Sequence, residues 1–159
     1  MAGACCYGAA MPPPALFDDL DRFVKAQDGV YPGALDELRR GRKTGHWIWF
    51  IFPQIAGLGR SEVSRFYSIA SLDEARAYLA HPVLGARLIE CATIVAGVPD
   101  RTAIEIFGGI DAMKVRSCMT LFRRVAPDEP AFQAVIDRFY DGTADEATES
   151  LLSPRPSPR

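Results

Sequence analysis

At 159 residues the chain is sized for one domain with a hydrophobic core of its own, independent of disulfides or metals. Hydrophobic residues make up 48% and charged residues 24%, the usage of an ordinary globular domain. A net charge of −2 excludes the global basic field that drives non-specific nucleic-acid binding, and the longest apolar run, Trp47 to Phe52, is far below the roughly 18 residues of a membrane span.

The first basic residue is Arg22, so the N-terminus has the charge pattern of neither a secretory signal nor an Arg-rich transit peptide. The four cysteines are Cys5, Cys6, Cys91 and Cys118, with no CxxC pair, and the two histidines, His46 and His81, offer no zinc-ligand spacing. No metal site and no cofactor are predicted, and a cytoplasmic protein is expected. Residues 1–14, with Pro12-Pro13-Pro14, and 153–159 are expected to be disordered tails around one domain at 15–152.

Along that domain, helix signals recur. Leu16, Leu20, Phe23 and Val24 give a first helix to Gln27, and Pro32 opens a second that closes at Gly41. Strand signals are nearly absent. The segment GHWIWFIFPQI is apolar on both alternating faces, and among so many helices it is expected to be a buried helix or an irregular piece. Ser71 with Glu74 forms a capping box for a helix ending near His81, and Pro82 opens the next, to Gly97. Asp100 caps a short helix ending at Gly108-Gly109, Asp111 caps one through Ala126, Pro130 begins one ending at Gly142, and Asp145 caps a last short one. The expected class is all-α, a compact multihelical single domain.

The run from His46 to Gln54 holds both tryptophans, Trp47 and Trp49. It is either a central packing element or an aromatic pocket wall on which a planar ring stacks, oriented by His46 and Gln54. Upstream, Arg39-Arg40-Gly41-Arg42-Lys43 is a solvated helix end or a phosphate-holding patch. Gly57-Leu58-Gly59-Arg60-Ser61 resembles an anion-binding turn at a helix start, without a Walker lysine or the dinucleotide fingerprint. In the helix after Asp111, Val115, Cys118, Met119 and Phe122 form an apolar stripe, with Ser117, Thr120 and Arg124 on the neighbouring polar face. Lys114 falls at the edge of that stripe, either snorkelling along the core or serving as a partly buried nucleophile beside Ser117 and Thr120. Arg116 is expected to reach solvent or a surface carboxylate.

The runs DLDRFVKAQD, RKTGHWIWFIFPQIAGLGRS, YSIASLDEARAYLAHPVLGARL, IFGGIDAMKVRSCMTLF and AFQAVIDRFYDG resemble, in order, a bacterial family of domains of unknown function, over roughly Leu16 to Leu152. Its HWxWFIFPQ and KxRSxMTLF motifs are matched, with Ile48 where methionine is common and Cys118 where a second serine is common. The resemblance implies a compact, mainly helical fold. The label "calpastatin" often attached to that family does not suit this chain, because an inhibitor of that type is a hydrophilic, repetitive, disordered polypeptide.

A more distant likeness is to the NADAR (NAD- and ADP-ribose-associated) superfamily, which is also helical and includes N-glycosidases of nucleotide-like substrates. It implies a nucleotide- or ADP-ribose-like ligand and N-glycosidic hydrolysis. In that reading Lys114 and His46 are the catalytic groups, Trp47 and Trp49 stack, Gln54 orients, and Ser117 and Thr120 meet the ribose. The alternative is a non-catalytic binding module for a protein partner or a small metabolite. A nucleic-acid partner for Arg39 to Lys43 is disfavoured by the net charge.

Overall fold

The computed structural model describes residues 14–153, with side chains from Leu20 onward. The expected tails at 1–14 and 153–159, with Cys5 and Cys6, fall almost wholly outside those residues. Among the described residues the chain is all-α. In order the helices are α1 (Pro14–Gln27), α2 (Tyr31–Arg39), α3 (Ile48–Ile51), α4 (Glu62–Phe66), α5 (Leu72–Ala80), α6 (Leu84–Ala96), α7 (Ala103–Phe107), α8 (Gly109–Val125), α9 (Pro130–Phe139) and α10 (Glu146–Leu152). An isolated parallel bridge joins Ile55 to Ile69, with no strand around it. No single described helix is long and apolar enough to cross a membrane.

The centre of the fold is α8, which packs on α3, α5, α7, α9 and α10, while α6 joins α2, α5 and α9. Phe122, on the apolar stripe of α8, meets Tyr78 and Phe132 in tilted aromatic contacts. The aromatic segment is a packing element for most of its length: Trp47, Ile48, Ile51, Phe52 and Ile55 all belong to the core. Cys91 and Cys118 are buried, and burial pushes the Cys91 thiol up to about 12 and that of Cys118 well above its ordinary value.

Two buried polar side chains on or near α1 tie distant elements together. The Gln27 amide donates to the Phe50 carbonyl at 2.7 Å and accepts from Arg87 at 3.2 Å. Glu74, fully buried, meets Arg22 at 3.4 Å and accepts the Ala70 N–H at 2.7 Å. The Ser71 hydroxyl does cap α5, but Glu74 reaches back to Ala70 and Arg22 rather than closing the expected box on Ser71.

Three other helix starts differ from expectation. Thr102, not Asp100, caps α7, in a complete capping box with Glu105; Asp100 is instead turned to φ 58°. The cap of α8 is Gly108, not Asp111. Its φ of 83° and ψ of 163° lie where only glycine is comfortable, and Asp111 falls within the first turn. Pro82 precedes α6, whose first amides, those of Val83 and Leu84, donate to the His81 ring. Asp145 caps α10 as its spacing predicts.

The α5–α6 corner is tight. A Cβ on Gly85 would lie 1.9 Å from the Leu79 carbonyl oxygen, and backbone cannot swing aside as a side chain can. Gly85→Ala is therefore expected to cost about 3 kcal/mol, the upper end of ordinary overpacking, measured by urea denaturation. An unchanged midpoint would show that the corner opens freely.

Candidate functional site

The loop from Arg42 to Trp47 is pinned from two sides. Glu37 Oε1 accepts the backbone N–H of Thr44 at 2.6 Å and of Gly45 at 2.9 Å, and the Trp47 indole N–H at 3.0 Å. Burial raises the Glu37 carboxyl, but these donors outweigh it and hold the group below the usual carboxylate range. On the other side the Lys43 N–H donates to the Ile106 carbonyl at 2.8 Å, so the loop lies against the α7–α8 junction.

That junction carries a compact charge cluster. Asp111 stands between two lysines, with Lys43 Nζ 2.8 Å from Oδ2 and Lys114 Nζ 3.8 Å from Oδ1. Each ammonium also lies over a tryptophan face, Lys43 over Trp47 and Lys114 over Trp49, both at 5.1 Å. Two cations share one carboxylate, leaving one positive charge uncompensated within the cluster. Lys114 is thus held between the Asp111 carboxylate and the Trp49 ring. Trp49 adds an indole Nε1 that is buried and has no hydrogen-bond partner among the described residues.

Beside Lys114 opens a cleft of about 230 Å³. Gln54, Leu58 and Gly59 form one wall; Ile110, Met113, Lys114 and Ser117 of α8 form another, and Asp145 and Ala147 at the start of α10 close it. The Gln54 backbone is fixed, its carbonyl accepting the Ile69 N–H at 2.8 Å, while no described residue bonds its side-chain amide.

The α10 wall is held by hydroxyls. Asp145 Oδ2 accepts from the Thr148 N–H at 2.9 Å and the Thr148 hydroxyl at 2.6 Å. Thr148 has then spent its one hydroxyl proton, so in the 2.7 Å contact with Ser117 it is Ser117 that donates. The lone pairs of Ser117 Oγ remain, as does Asp145 Oδ1, which takes no hydrogen bond among the described residues. Thr120 donates to the Arg116 carbonyl at 2.8 Å and accepts the Asp145 N–H at 2.9 Å.

Of the residues singled out from sequence, Gln54, Lys114 and Ser117 come together in this cleft. Trp49 lies against its lysine. Trp47 is buried, 2% exposed, with its N–H committed to Glu37. Thr120 is wholly buried and positions Asp145. His46 is exposed and does not line the cleft. The expected polar face of α8 is therefore covered by α10, and Arg116 bonds the Thr143 carbonyl at 3.0 Å instead of a carboxylate. In the Gly57–Ser61 turn the Ser61 hydroxyl takes the Ser64 amide, so one amide of the first turn of α4 is already satisfied. Asp111, Asp145 and Glu37 are the carboxylates at the charge cluster, the cleft and the loop that sequence reasoning did not place there. Asp111 and Asp145 stand at capping spacings, which is how the sequence presents them, and only the fold gives them lysine and cleft neighbours.

Residues 17–152 match the family described as "Protein of unknown function (DUF1810)". The chain belongs to that family. Its fold is similar to the crystal structure of the conserved hypothetical protein Rv1873 from Mycobacterium tuberculosis, at 49% sequence identity and a TM-score of 0.83. The alignment covers 84% of this chain and 96% of that one. No match was found among curated proteins. The DUF1810 match spans α8 and both walls of the cleft.

Glu37→Gln should loosen the loop and cost about 1–3 kcal/mol at neutral pH. The depressed Glu37 carboxyl contributes stability that is present above its unfolded value and lost as pH falls through its folded one. Acid titration of both proteins should show the gap narrowing below the ordinary carboxylate range. A gap independent of pH would contradict the ionic role.

Proposed function

We propose that the cleft beside Lys114 binds a small, anionic, nucleotide-like ligand of the ADP-ribose kind. The observation that carries this reading is the convergence of unspent polar groups on one partly apolar hollow: the Lys114 cation, the Gln54 amide, the Ser117 lone pairs and Asp145 Oδ1. A ribose phosphate asks for such a set. Lys114 attracts the phosphate, Asp145 accepts hydrogen bonds from ribose hydroxyls, and Gln54 both donates and accepts.

At about 230 Å³ the cleft is smaller than the roughly 300–1,000 Å³ of most small-molecule pockets. It takes the ribose-phosphate portion, and the base rests outside it on Ile110 and Met113, both exposed. Trp49 acts through Lys114, and Thr120 through Asp145. His46 has no part in this pose.

Hydrolysis of an N-glycosidic bond is the chemistry that the unspent Asp145 oxygen favours. Water attacks the anomeric carbon, the C–N bonding pair leaves with the base, and the water proton passes to Asp145. In the alternative, a non-catalytic module, the same cleft holds the ligand unchanged.

Thermal-shift screening against ADP-ribose, NAD and mononucleotides tests the binding. A ligand at about 100 times its Kd adds about 2.7 kcal/mol, a rise of roughly 5–10 °C for a domain of this size. The shift should vanish in Lys114→Ala and persist in His46→Ala. Silence across the panel, or a shift indifferent to Lys114, would overturn the reading. Asp145→Asn keeps an equally good helix cap, so base release monitored by chromatography should fall about 10²–10⁴-fold if the carboxylate is catalytic. Binding without any base release would select the non-catalytic module.

A further inference from the structure

The opposite flank of α8 carries a second hollow, also of about 230 Å³, with a different chemistry. On a helix, Ile110, Lys114 and Ser117 share one side and Ala112 and Arg116 another, with Met113 on the ridge between them. The second hollow is lined by Thr102, Ala103 and Ile104 around α7, by Ala112, Met113 and Arg116 of α8, and by Phe139 and Tyr140 at the end of α9.

Its walls are mostly apolar, and its single charged lining residue is Arg116. That side chain is oriented by two contacts. Nε donates to the Thr143 carbonyl at 3.0 Å, and the guanidinium lies over the Tyr140 ring at 5.4 Å. The Tyr140 hydroxyl is itself committed to the Ala112 carbonyl. No carboxylate among the described residues pairs with Arg116, and its terminal N–H groups have no acceptor there. A guanidinium held in place with its fork unspent fits a carboxylate.

The apolar surface extends well beyond the hollow. Ile104, Ile110 and Met113 are 66%, 74% and 68% exposed, and they cluster within ten residues of chain. A molecule that filled only the hollow would leave Ile110 wet. A bilayer surface favours cationic chains, whereas this chain carries −2 and the hollow recedes between α7, α8 and the end of α9.

We propose that the α7–α8 face, from Ile104 across Met113 to Arg116, docks a short segment of a partner protein in which apolar side chains adjoin an Asp or Glu. The apolar anchor enters between Ala103, Ala112 and Phe139, the carboxylate pairs with Arg116, and neighbouring apolar groups cover Ile104 and Ile110. This site shares Met113 and the exposed Ile110 with the rim of the Lys114 cleft, but its anchors, Ala103, Phe139 and Arg116, lie outside that cleft and do not depend on the ligand proposed there.

The test uses a synthetic array of short peptides pairing each apolar residue with Asp or Glu, and a matching array with Lys in place of the acid. The strongest acidic peptides are then measured with the full chain by fluorescence polarisation. Saturable binding of acidic peptides, with their lysine counterparts inert, is expected. Arg116→Ala and Ile104→Ser should each weaken it about tenfold or more, which is ~1.4 kcal/mol, and Arg116→Glu should shift preference to the lysine array. Ile104 is too exposed for its substitution to unfold the domain, so it keeps the test sound if Arg116 variants misfold. Lys114→Ala should leave peptide binding intact, separating this site from the ligand cleft. Absence of saturable binding, equal binding of both arrays, or indifference to Ile104 and Arg116 would overturn the proposal. So would capture by phosphatidylserine vesicles instead of peptides, or an apolar face found buried between two copies of the chain by light scattering.

Discussion

The fold turns on how α8 is covered. From Ser117 to Phe122 every residue of that helix is buried, so it is wrapped on all sides, including the side that carries hydroxyls. A buried hydroxyl without a partner costs on the order of 1–3 kcal/mol, and α10 removes that cost by bringing Thr148 to Ser117 and the Asp145 amide to Thr120. The first two turns have no such cover. Ile110 and Met113 face solvent, and the charged and aromatic partners of Lys114 among the described residues are Asp111 and Trp49. Both hollows flank this half-covered stretch, one on either side of Met113.

Electrostatics then decide what the uncovered end can receive. Asp111 sits in the first turn of a 17-residue helix, where the dipole favours an anion, and it draws Lys43 and Lys114 together. Lys43 is spent on Asp111, the Gly45 carbonyl and the Trp47 face, which makes it part of the loop's anchorage. Lys114 makes only one longer ionic contact, so it is the member of the pair with capacity for a ligand. Arg116, two residues on, is likewise fixed in direction yet without a carboxylate among the described residues.

The helical class was legible because the signals that set it are local. Ser71 and Asp145 cap their helices through side chains a few residues away, and Pro130 starts α9 from its own ring geometry. The helix starts that differ do so where two local signals compete. Thr102 with Glu105 offers a complete box that Asp100 cannot, and Gly108 adopts a backbone angle that no periodicity records. The site was legible in part. Gln54, Lys114 and Ser117 stand out by type and place, and they do meet. Trp47 stood out equally, but its indole is claimed by Glu37, ten residues earlier, and that pairing needs the loop to be folded. The covering of Thr120 by α10 is similarly a contact across 25 positions of sequence that helix spacing cannot foresee.

The most direct test of the account is amide chemical-shift mapping of the full chain during titration with ADP-ribose. Saturable shifts concentrated at Gly59, Lys114, Ser117 and Ala147 are the predicted result, with a different surface, where Arg123 and Arg124 pair with Glu149, remaining silent. Saturable shifts centred on that other surface, or a spectrum unmoved at millimolar ligand, would contradict the claim that the half-covered end of α8 is where this protein meets its ligand.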